Sequence, residues 1–239
     1  MSAKDKIILP LDVSSTDQAV ELVRELKDCV GAFKVGLELF TSIGPRIFDA
    51  IRDAGAERIF FDGKFHDIPN TVAGAARAAV RMGIWMLNVH TTGGSAMMRA
   101  AVDAATEEAD KQGVDVPLII GVTILTSISQ HMLHDELGVP TLMDDHVTGL
   151  AQLAQNSGLN GVVCSPHEIV PIKSVSGPSF LVVTPGVRPA WASANDQQRI
   201  MTPAQAVSCG ADYMVIGRAI TAADDRAAAA RRIIEEIEG

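Results

Sequence analysis

Cysteine is scarce in this chain, and its few cysteines stand far apart. Cys29, Cys164 and Cys209 are the three present, too few and too widely spaced for a disulfide framework or a zinc cluster. Such sparse use of cysteine is typical of proteins that work in a reducing cytosol. We therefore expect a cytoplasmic protein without structural disulfides.

Aromatic residues are also rare, at 4% of the chain, whereas Ala, Val, Ile, Leu and Gly are abundant. This balance favours helices packed on a parallel sheet over an aromatic-rich β-sandwich. Hydrophobic residues make up 47% of the chain and charged residues 21%, a composition that excludes a disordered polypeptide.

Long hydrophobic runs are missing. The longest, "VPLIIGVTIL" at 116–125, is too short to cross a bilayer, and the apolar stretch near the start is too short for a signal peptide. Basic residues are outnumbered 20 to 29, and the net charge of −9 repels polyanions. We expect neither nucleic acid nor a membrane as a partner, although a small anionic ligand remains compatible with a locally positive site.

Short runs rich in Val, Ile and Leu alternate with amphipathic segments along the whole chain. The runs predict strands that are covered on both faces, at Ile7–Asp12, Ala32–Gly36, Arg58–Lys64, Met86–His90, Leu118–Thr123, Gly161–Ser165, Phe180–Gly186 and Tyr213–Arg218. A helical pattern follows each strand, at 16–27, 43–54, 69–82, 95–112, 143–157, 168–175, 202–209 and 224–238. Ser15 is the predicted N-cap of the first helix.

This alternation, the chain length and the absence of a linker predict an α/β fold, a single (β/α)8 TIM barrel that spans residues 1–239 as one catalytic domain. A doubly wound open sheet is the alternative, because the closure of a sheet cannot be read from its sequence.

The stretch "FFDGKFHDIPNT" places Asp62, Lys64 and Asp67 where a buried strand ends. Asp12 and Lys34 end the first and second predicted strands, and the carboxyl ends of barrel strands form the working face. Because Asp62 and Lys64 are two positions apart on one strand, we expect them to point to the same side. All five charged side chains would then lie together at the carboxyl end of the barrel.

A salt-bridged strand end is the purely structural explanation of these charges. Buried charges are expensive to desolvate and stabilise a fold poorly, so a function explains the array better. A lysine among carboxylates keeps its proton, which makes it a poor Schiff-base nucleophile and a good proton donor. A neighbouring carboxylate repels an anionic substrate group. The array therefore fits a reaction that expels CO₂ and leaves a carbanion beside a cation.

The segment resembles the signature of the orotidine 5′-phosphate decarboxylases: Asp-x-Lys-x-x-Asp, Ile, Pro or a small residue, any residue, then Thr. The positions are filled by Asp62, Lys64, Asp67, Ile68, Pro69 and Thr71. The resemblance continues over nearly the whole chain, through "PLDV", "FKVG", "VTILTS", "VTPGVRP", "NDQQRIMTP" and "YMVIGRAI".

This resemblance implies conversion of orotidine 5′-monophosphate to UMP and CO₂ in de novo pyrimidine nucleotide biosynthesis, with no cofactor and no metal. Lys64 would protonate C6 of the pyrimidine, and Asp62 would lie against the substrate carboxylate. Lys34 would hold Asp62 and contact the ribose, and Asp12 would bind a ribose hydroxyl.

The resemblance also implies a homodimer with shared sites, in which Asp67, Ile68 and Thr71 reach the neighbouring subunit's ligand. For Asp67, a carboxylate that favours the start of the next helix is a second explanation, and the two are compatible. Thr126 and Ser127 would contact the ligand near the base.

The phosphate site is expected after the last strands of the barrel, where helix N–H groups meet anions. Gly217 would permit close approach of the backbone, and Arg218 would supply a planar fork for phosphate. The long segment 185–199 has the composition of a lid. By resemblance it contributes Pro185, Arg188 and Gln197, the last bridging the two ends of the ligand.

Two other functions remain to be separated. Magnesium-dependent sugar-phosphate decarboxylases and hexulose phosphate synthases share Asp-x-Lys-x-x-Asp, but they carry Ala-Gly after the second Asp, where this chain has "IPNT". A catalytically silent nucleotide-binding protein would bind UMP without turning over its carboxylated precursor.

Overall fold

The computed structural model describes residues 1–192 and 201–239. Its centre is a closed barrel of eight parallel strands, each paired with its neighbours in chain order, and β1 pairs with β8. The strands are β1 (Ile7–Pro10), β2 (Ala32–Val35), β3 (Ile59–Phe65), β4 (Met86–His90), β5 (Leu118–Val122), β6 (Gly161–Val163), β7 (Leu181–Pro185) and β8 (Tyr213–Val215). The predicted (β/α)8 barrel is confirmed, and the open sheet is wrong.

Helices surround the barrel. In the described ranges they are α1 (Thr16–Leu26), α2 (Leu37–Ile43), α3 (Arg46–Asp53), α4 (Pro69–Arg81), α5 (Gly94–Gln112), α6 (Gln130–Asp135), α7 (Met143–Asn156), α8 (Ile169–Ser176), α9 (Pro203–Cys209), α10 (Arg218–Thr221) and α11 (Arg226–Glu238). The short helices α2, α6 and α10 were not predicted. Among the described residues, no helix combines the length and apolarity that a membrane span requires.

The buried side chains form two layers, because each strand is covered on both faces. The barrel interior holds a compact cluster made of Ile8, Ala32, Phe60, Met86, Ile120, Val183 and Tyr213. A larger apolar layer fills the space between the outer face of the sheet and the helices. This double burial explains why the strands read as nearly continuous apolar runs.

Local sequence fixes where several elements begin and end. The Ser15 hydroxyl accepts a hydrogen bond from the Gln18 N–H, so Ser15 caps α1 as predicted. The first and last strands are shorter than predicted. Asp12 lies in the loop after β1, and Arg218 begins α10. Both remain at the carboxyl end of the barrel.

Candidate active site

A row of alternating charges lies across the carboxyl ends of β2 and β3. The Lys34 ammonium is 3.3 Å from Asp62 Oδ2 and 3.6 Å from Asp12 Oδ1. On the other side of the same carboxylate, the Lys64 ammonium donates to Asp62 Oδ1 at 2.6 Å. Of the five charges expected in one mouth, the structure brings these four together.

Asp62 is the centre of the row and is largely buried, with 15% of its side chain exposed. Burial by itself raises the pKa of this carboxyl. Lys34, Lys64 and a hydrogen bond from Asn88 outweigh that effect, so the pKa of Asp62 lies below its ordinary value. The carboxylate is therefore ionised at neutral pH and can repel a second carboxylate brought beside it.

An irregularity in the pairing of β3 with β4 sets the directions of the Asp62 and Lys64 side chains. Phe61 pairs with Leu87 and Phe65 pairs with Val89, so three residues of β3 lie opposite a single residue of β4. In this β-bulge, Lys64 has a φ of 48°, and it is the only non-glycine residue in the described ranges with a positive φ. Asp62 and Lys64 do share one side, but through the bulge and not through the regular alternation that was assumed.

The residue between the two charges is a glycine for a steric reason. A Cβ on Gly63 would lie 2.9 Å from Phe65 Cε1 and 3.1 Å from Phe61 Cζ. These rings belong to an aromatic cluster behind the strand, with the Phe61 and Phe65 centroids 5.5 Å apart. The cluster supports the bulge from its apolar side and leaves no room for a side chain at position 63.

Asn88 is the single residue of β4 opposite the bulge, and it was not among the predicted site residues. Its Nδ2 donates to Asp62 Oδ1, and its Oδ1 accepts from the Lys64 backbone N–H, both at 2.7 Å. The available signal was a lone amide inside the apolar strand "MLNVH".

His90 ends β4 near Asp62 and Lys64 of the charged row, and its ring centroid lies 5.3 Å from that of His66. Burial lowers the pKa of His90, and the nearby His66 and Lys64 lower it further. A neutral imidazole adds no second positive charge next to the lysine.

A cavity of about 700 Å³ adjoins the charged row. Its lining includes predicted site residues on or after four adjacent strands, β7, β8, β1 and β2, namely Asp12, Lys34, Pro185, Arg188, Gly217 and Arg218. Lys34 thus belongs to the charged row and to the cavity. A ligand in this cavity would be in reach of Arg188 and Arg218 and of Lys34, which joins the cavity to Asp62 and Lys64.

Gly217 sits where β8 turns into α10, directly against β1. A Cβ at this position would lie 2.8 Å from Pro10 Cγ, so the close approach of the two strands requires glycine. Because α10 begins at Arg218, its first N–H groups have no partner within the helix and face the same end of the barrel.

Asp67, Ile68 and Thr71 do not join this arrangement within one chain. All three are exposed around the start of α4. Asp67 Oδ1 accepts the Ile68 N–H at 2.6 Å, and no ion pair of Asp67 is found among the described residues. Its position just before the helix agrees with the helix-start explanation, and its exposure leaves it free to meet another molecule.

The remaining predicted site residues are not part of the charged row or of the cavity lining that the structure describes. Thr126 and Ser127 lie in an exposed turn after β5, outside the lining of the cavity. Gln197 lies outside the described residues. Across 1–192 and 201–239, no group of three or more His, Cys, Asp and Glu side chains could hold a metal ion.

Comparisons with known proteins agree with this geometry. The profile of the Orotidine 5′-phosphate decarboxylase / HUMPS family matches residues 5–233. Orotidine 5′-phosphate decarboxylase of Syntrophomonas wolfei is 52% identical over 239 residues, all of both chains. That of Moorella thermoacetica is 52% identical over 238 residues, covering 100% of this chain and 94% of the relative. The crystal structure of orotidine 5′-phosphate decarboxylase from Lactobacillus acidophilus superposes with a TM-score of 0.86 at 37% identity, covering 98% of this chain and 99% of that one. This chain belongs to the Orotidine 5′-phosphate decarboxylase / HUMPS family.

Proposed function

We propose that this chain catalyses decarboxylation of orotidine 5′-monophosphate to UMP and CO₂, a step of de novo pyrimidine nucleotide biosynthesis. One observation carries the proposal: Lys34, Asp62 and Lys64 form a contiguous charged row, and Lys34 also lines a cavity that Arg188 and Arg218 line as well. Whole-length relatives with 52% identity bear the name of this activity.

In this reaction the C6–CO₂⁻ bond breaks, and its electron pair stays on C6. Lys64 stabilises the developing carbanion and then gives C6 a proton. Asp62, ionised and only 2.6 Å from the Lys64 ammonium, lies against the substrate carboxylate and disfavours the bound substrate more than the transition state. Lys64 therefore acts on C6, and the Asp62 carboxylate acts on the departing CO₂ group of the same bond.

The ribose and the phosphate are held by the residues that line the cavity. Lys34 keeps Asp62 in place and contacts the ribose, and Asp12, which is exposed, binds a ribose hydroxyl. Arg218 and the N–H groups at the start of α10 take the phosphate, and Gly217 allows the backbone to approach it.

The segment after β7 completes the ligand site as a lid. Pro185 and Arg188 line the cavity and contact the phosphate end of the ligand. Gln197 links the phosphate to the pyrimidine, and Thr126 and Ser127 contact the base. Binding energy from the phosphate then helps to assemble the distant reacting end.

A homodimer supplies the rest of the site. Asp67, Ile68 and Thr71 reach the partner's ligand from the start of α4, so each site takes residues from two chains. The exposure of all three residues within one chain supports this arrangement, and the apolar residue Ile68 in particular is 67% exposed. The whole chain acts as one catalytic domain of a cytoplasmic enzyme, without a cofactor or a metal.

The test is an assay of the purified protein on orotidine 5′-monophosphate that follows CO₂ release with and without a chelator. We expect equal amounts of CO₂ and UMP, and the same rate in both conditions. Loss of activity on chelation would contradict a metal-free reaction, and magnesium-dependent turnover of a sugar phosphate in place of orotidine 5′-monophosphate would favour the sugar-phosphate enzymes. Binding of UMP without turnover would favour a silent nucleotide-binding protein.

A further inference from the structure

Asn88 occupies an unusual place for an amide. It lies in the middle of β4, with 1% of its surface exposed, between the apolar residues Leu87 and Val89. A buried amide costs free energy unless its polar atoms are hydrogen-bonded, so its partners explain why it is there.

Both ends of the Asn88 amide are used, and both partners belong to the charged row. Its Oδ1 accepts from the Lys64 backbone N–H, and its Nδ2 donates to Asp62 Oδ1, each at 2.7 Å. The partners fix the orientation of the amide, because a backbone N–H can only donate and a carboxylate can only accept. One side chain thus ties the backbone of the lysine to the carboxylate beside it.

The contact to Lys64 replaces a lost bond of the sheet. The β-bulge places three residues of β3 opposite Asn88, so the regular ladder does not supply a partner for the Lys64 N–H. Lys64 also has a φ of 48°, a left-handed conformation that residues with a Cβ disfavour. The hydrogen bond from this N–H to Asn88 holds that conformation in place.

The contact to Asp62 completes the coordination of its carboxylate. Asp62 Oδ1 accepts from Asn88 at 2.7 Å and from the Lys64 ammonium at 2.6 Å, while Oδ2 faces Lys34 at 3.3 Å. Without the amide, the carboxylate would keep only its two lysine contacts, and the Lys64 N–H would lose the hydrogen bond that holds its backbone.

We propose that Asn88 is a positioning residue, which sets the Lys64 backbone and the Asp62 carboxylate for decarboxylation. This role rests on the proposed function. Because Asn88 is almost fully buried beneath the row, it acts through these two residues and not by touching the ligand.

The first test is Asn88→Ala, measured by kcat and by the dissociation constant of UMP. Loss of a hydrogen bond to a charged group is expected to lower kcat about 10- to 100-fold. The affinity for UMP should stay within about threefold, since the cavity and its two arginines, Arg188 and Arg218, are untouched.

The matched control is Asn160→Ala. Asn160 Oδ1 also accepts a backbone N–H from a strand, that of Ile119 at 2.8 Å, but at the opposite end of the barrel. This variant loses a similar amide-to-backbone bond, and we expect its kcat to equal that of the wild-type protein.

The second test is Asn88→Asp, which keeps the shape of the side chain and also serves if the alanine variant does not fold. The new carboxyl would face the Asp62 carboxylate at hydrogen-bond distance, and such a pair retains one proton at low pH. The protonated carboxyl can donate to Asp62 as the amide does, whereas two ionised groups repel. We therefore expect the ratio of variant to wild-type kcat to fall as the pH rises from about 5 to about 9.

The outcomes separate this role from the proposed function. If the wild-type protein releases no CO₂, both are overturned. If the wild-type protein is active and Asn88→Ala keeps its kcat within about threefold, or loses UMP affinity in parallel with kcat, only the positioning role is overturned. A pH-independent ratio for Asn88→Asp overturns it as well.

Discussion

The substitution Asp62→Asn removes the negative charge from the middle of the row and leaves its shape. Lys34 and Lys64 approach opposite oxygens of this carboxylate at 3.3 and 2.6 Å, so an amide must turn an N–H donor toward one of the two ammonium groups. The variant therefore faces two cations without the anion that held them.

The expected loss of unfolding free energy in Asp62→Asn follows from the burial of the Asp62–Lys64 ion pair. Removing one partner of a fully buried ion pair costs about 3–5 kcal/mol. The Asp62 and Lys64 side chains are 15% and 30% exposed, and solvent screening reduces the expected loss to roughly 2–3 kcal/mol. For a chain of this length that corresponds to a fall in Tm of roughly 4–12 °C. We expect kcat to fall at least about 100-fold in the same variant.

The lowered pKa of Asp62 determines how its contribution to the stability of the fold changes with pH. The pKa of folded Asp62 lies below its ordinary value of 3.8, so its ionised form stabilises the fold above that pH. This contribution is lost as the pH falls through the lower pKa of the folded state. The difference in unfolding free energy between wild type and Asp62→Asn should be constant near neutrality and should shrink below about pH 4.

Urea unfolding at several pH values and a thermal melt measure these quantities. The matched control is Asp49→Asn, because Asp49 pairs with Arg52 at 2.9 Å while 78% exposed, and we expect its Tm to change by less than about 2 °C. Equal stability of Asp62→Asn and wild type at pH 7, or a difference in stability that persists unchanged below about pH 4, would show that the ionised Asp62 carboxylate does not stabilise the fold.

Two further predictions concern the phosphate and the second subunit. Arg218→Ala should lower the affinity for UMP at least about tenfold in calorimetric titrations and leave the affinity for uridine unchanged. The control Arg231→Ala, on the exposed face of α11, should change neither affinity. Equal losses of affinity for both ligands would contradict a phosphate-binding role of Arg218. Asp67→Asn and Lys64→Ala, each inactive alone, should recover about a quarter of wild-type activity when mixed in equal amounts, since half of the dimers then hold one intact site of two; no recovery after verified subunit exchange would contradict a shared site.

The eight strands and their order were predictable because parallel strands covered on both faces read as nearly continuous apolar runs, whereas the closure of the sheet is seen only in the pairing of β1 with β8. The strand cores all appear where they were predicted, and Met86–His90 agrees at both ends. The short helices α2, α6 and α10 escaped because seven, six and four residues are too few to show helical periodicity. As a result, Arg218 was placed at the end of a strand and not at the start of a helix.

The charged row was predictable in membership but not in construction. The alternation rule assumes a regular strand, and β3 reaches the same juxtaposition through a bulge with Lys64 in a left-handed conformation. Asn88 escaped because a single amide in an apolar strand does not reveal its partners. Asp67 belongs, on our proposal, to the site of a second chain, which the geometry of one chain cannot complete.

The role of Lys64 as proton donor is tested most directly by CO₂ release from orotidine 5′-monophosphate by the wild-type protein and by Lys64→Ala under identical conditions. We expect the wild-type protein to form CO₂ and UMP in equal amounts. The variant should be slower by at least about 10⁴-fold while its UMP affinity stays within about tenfold. A variant that folds, binds UMP and turns over within about tenfold of wild type would contradict Lys64 as the proton donor.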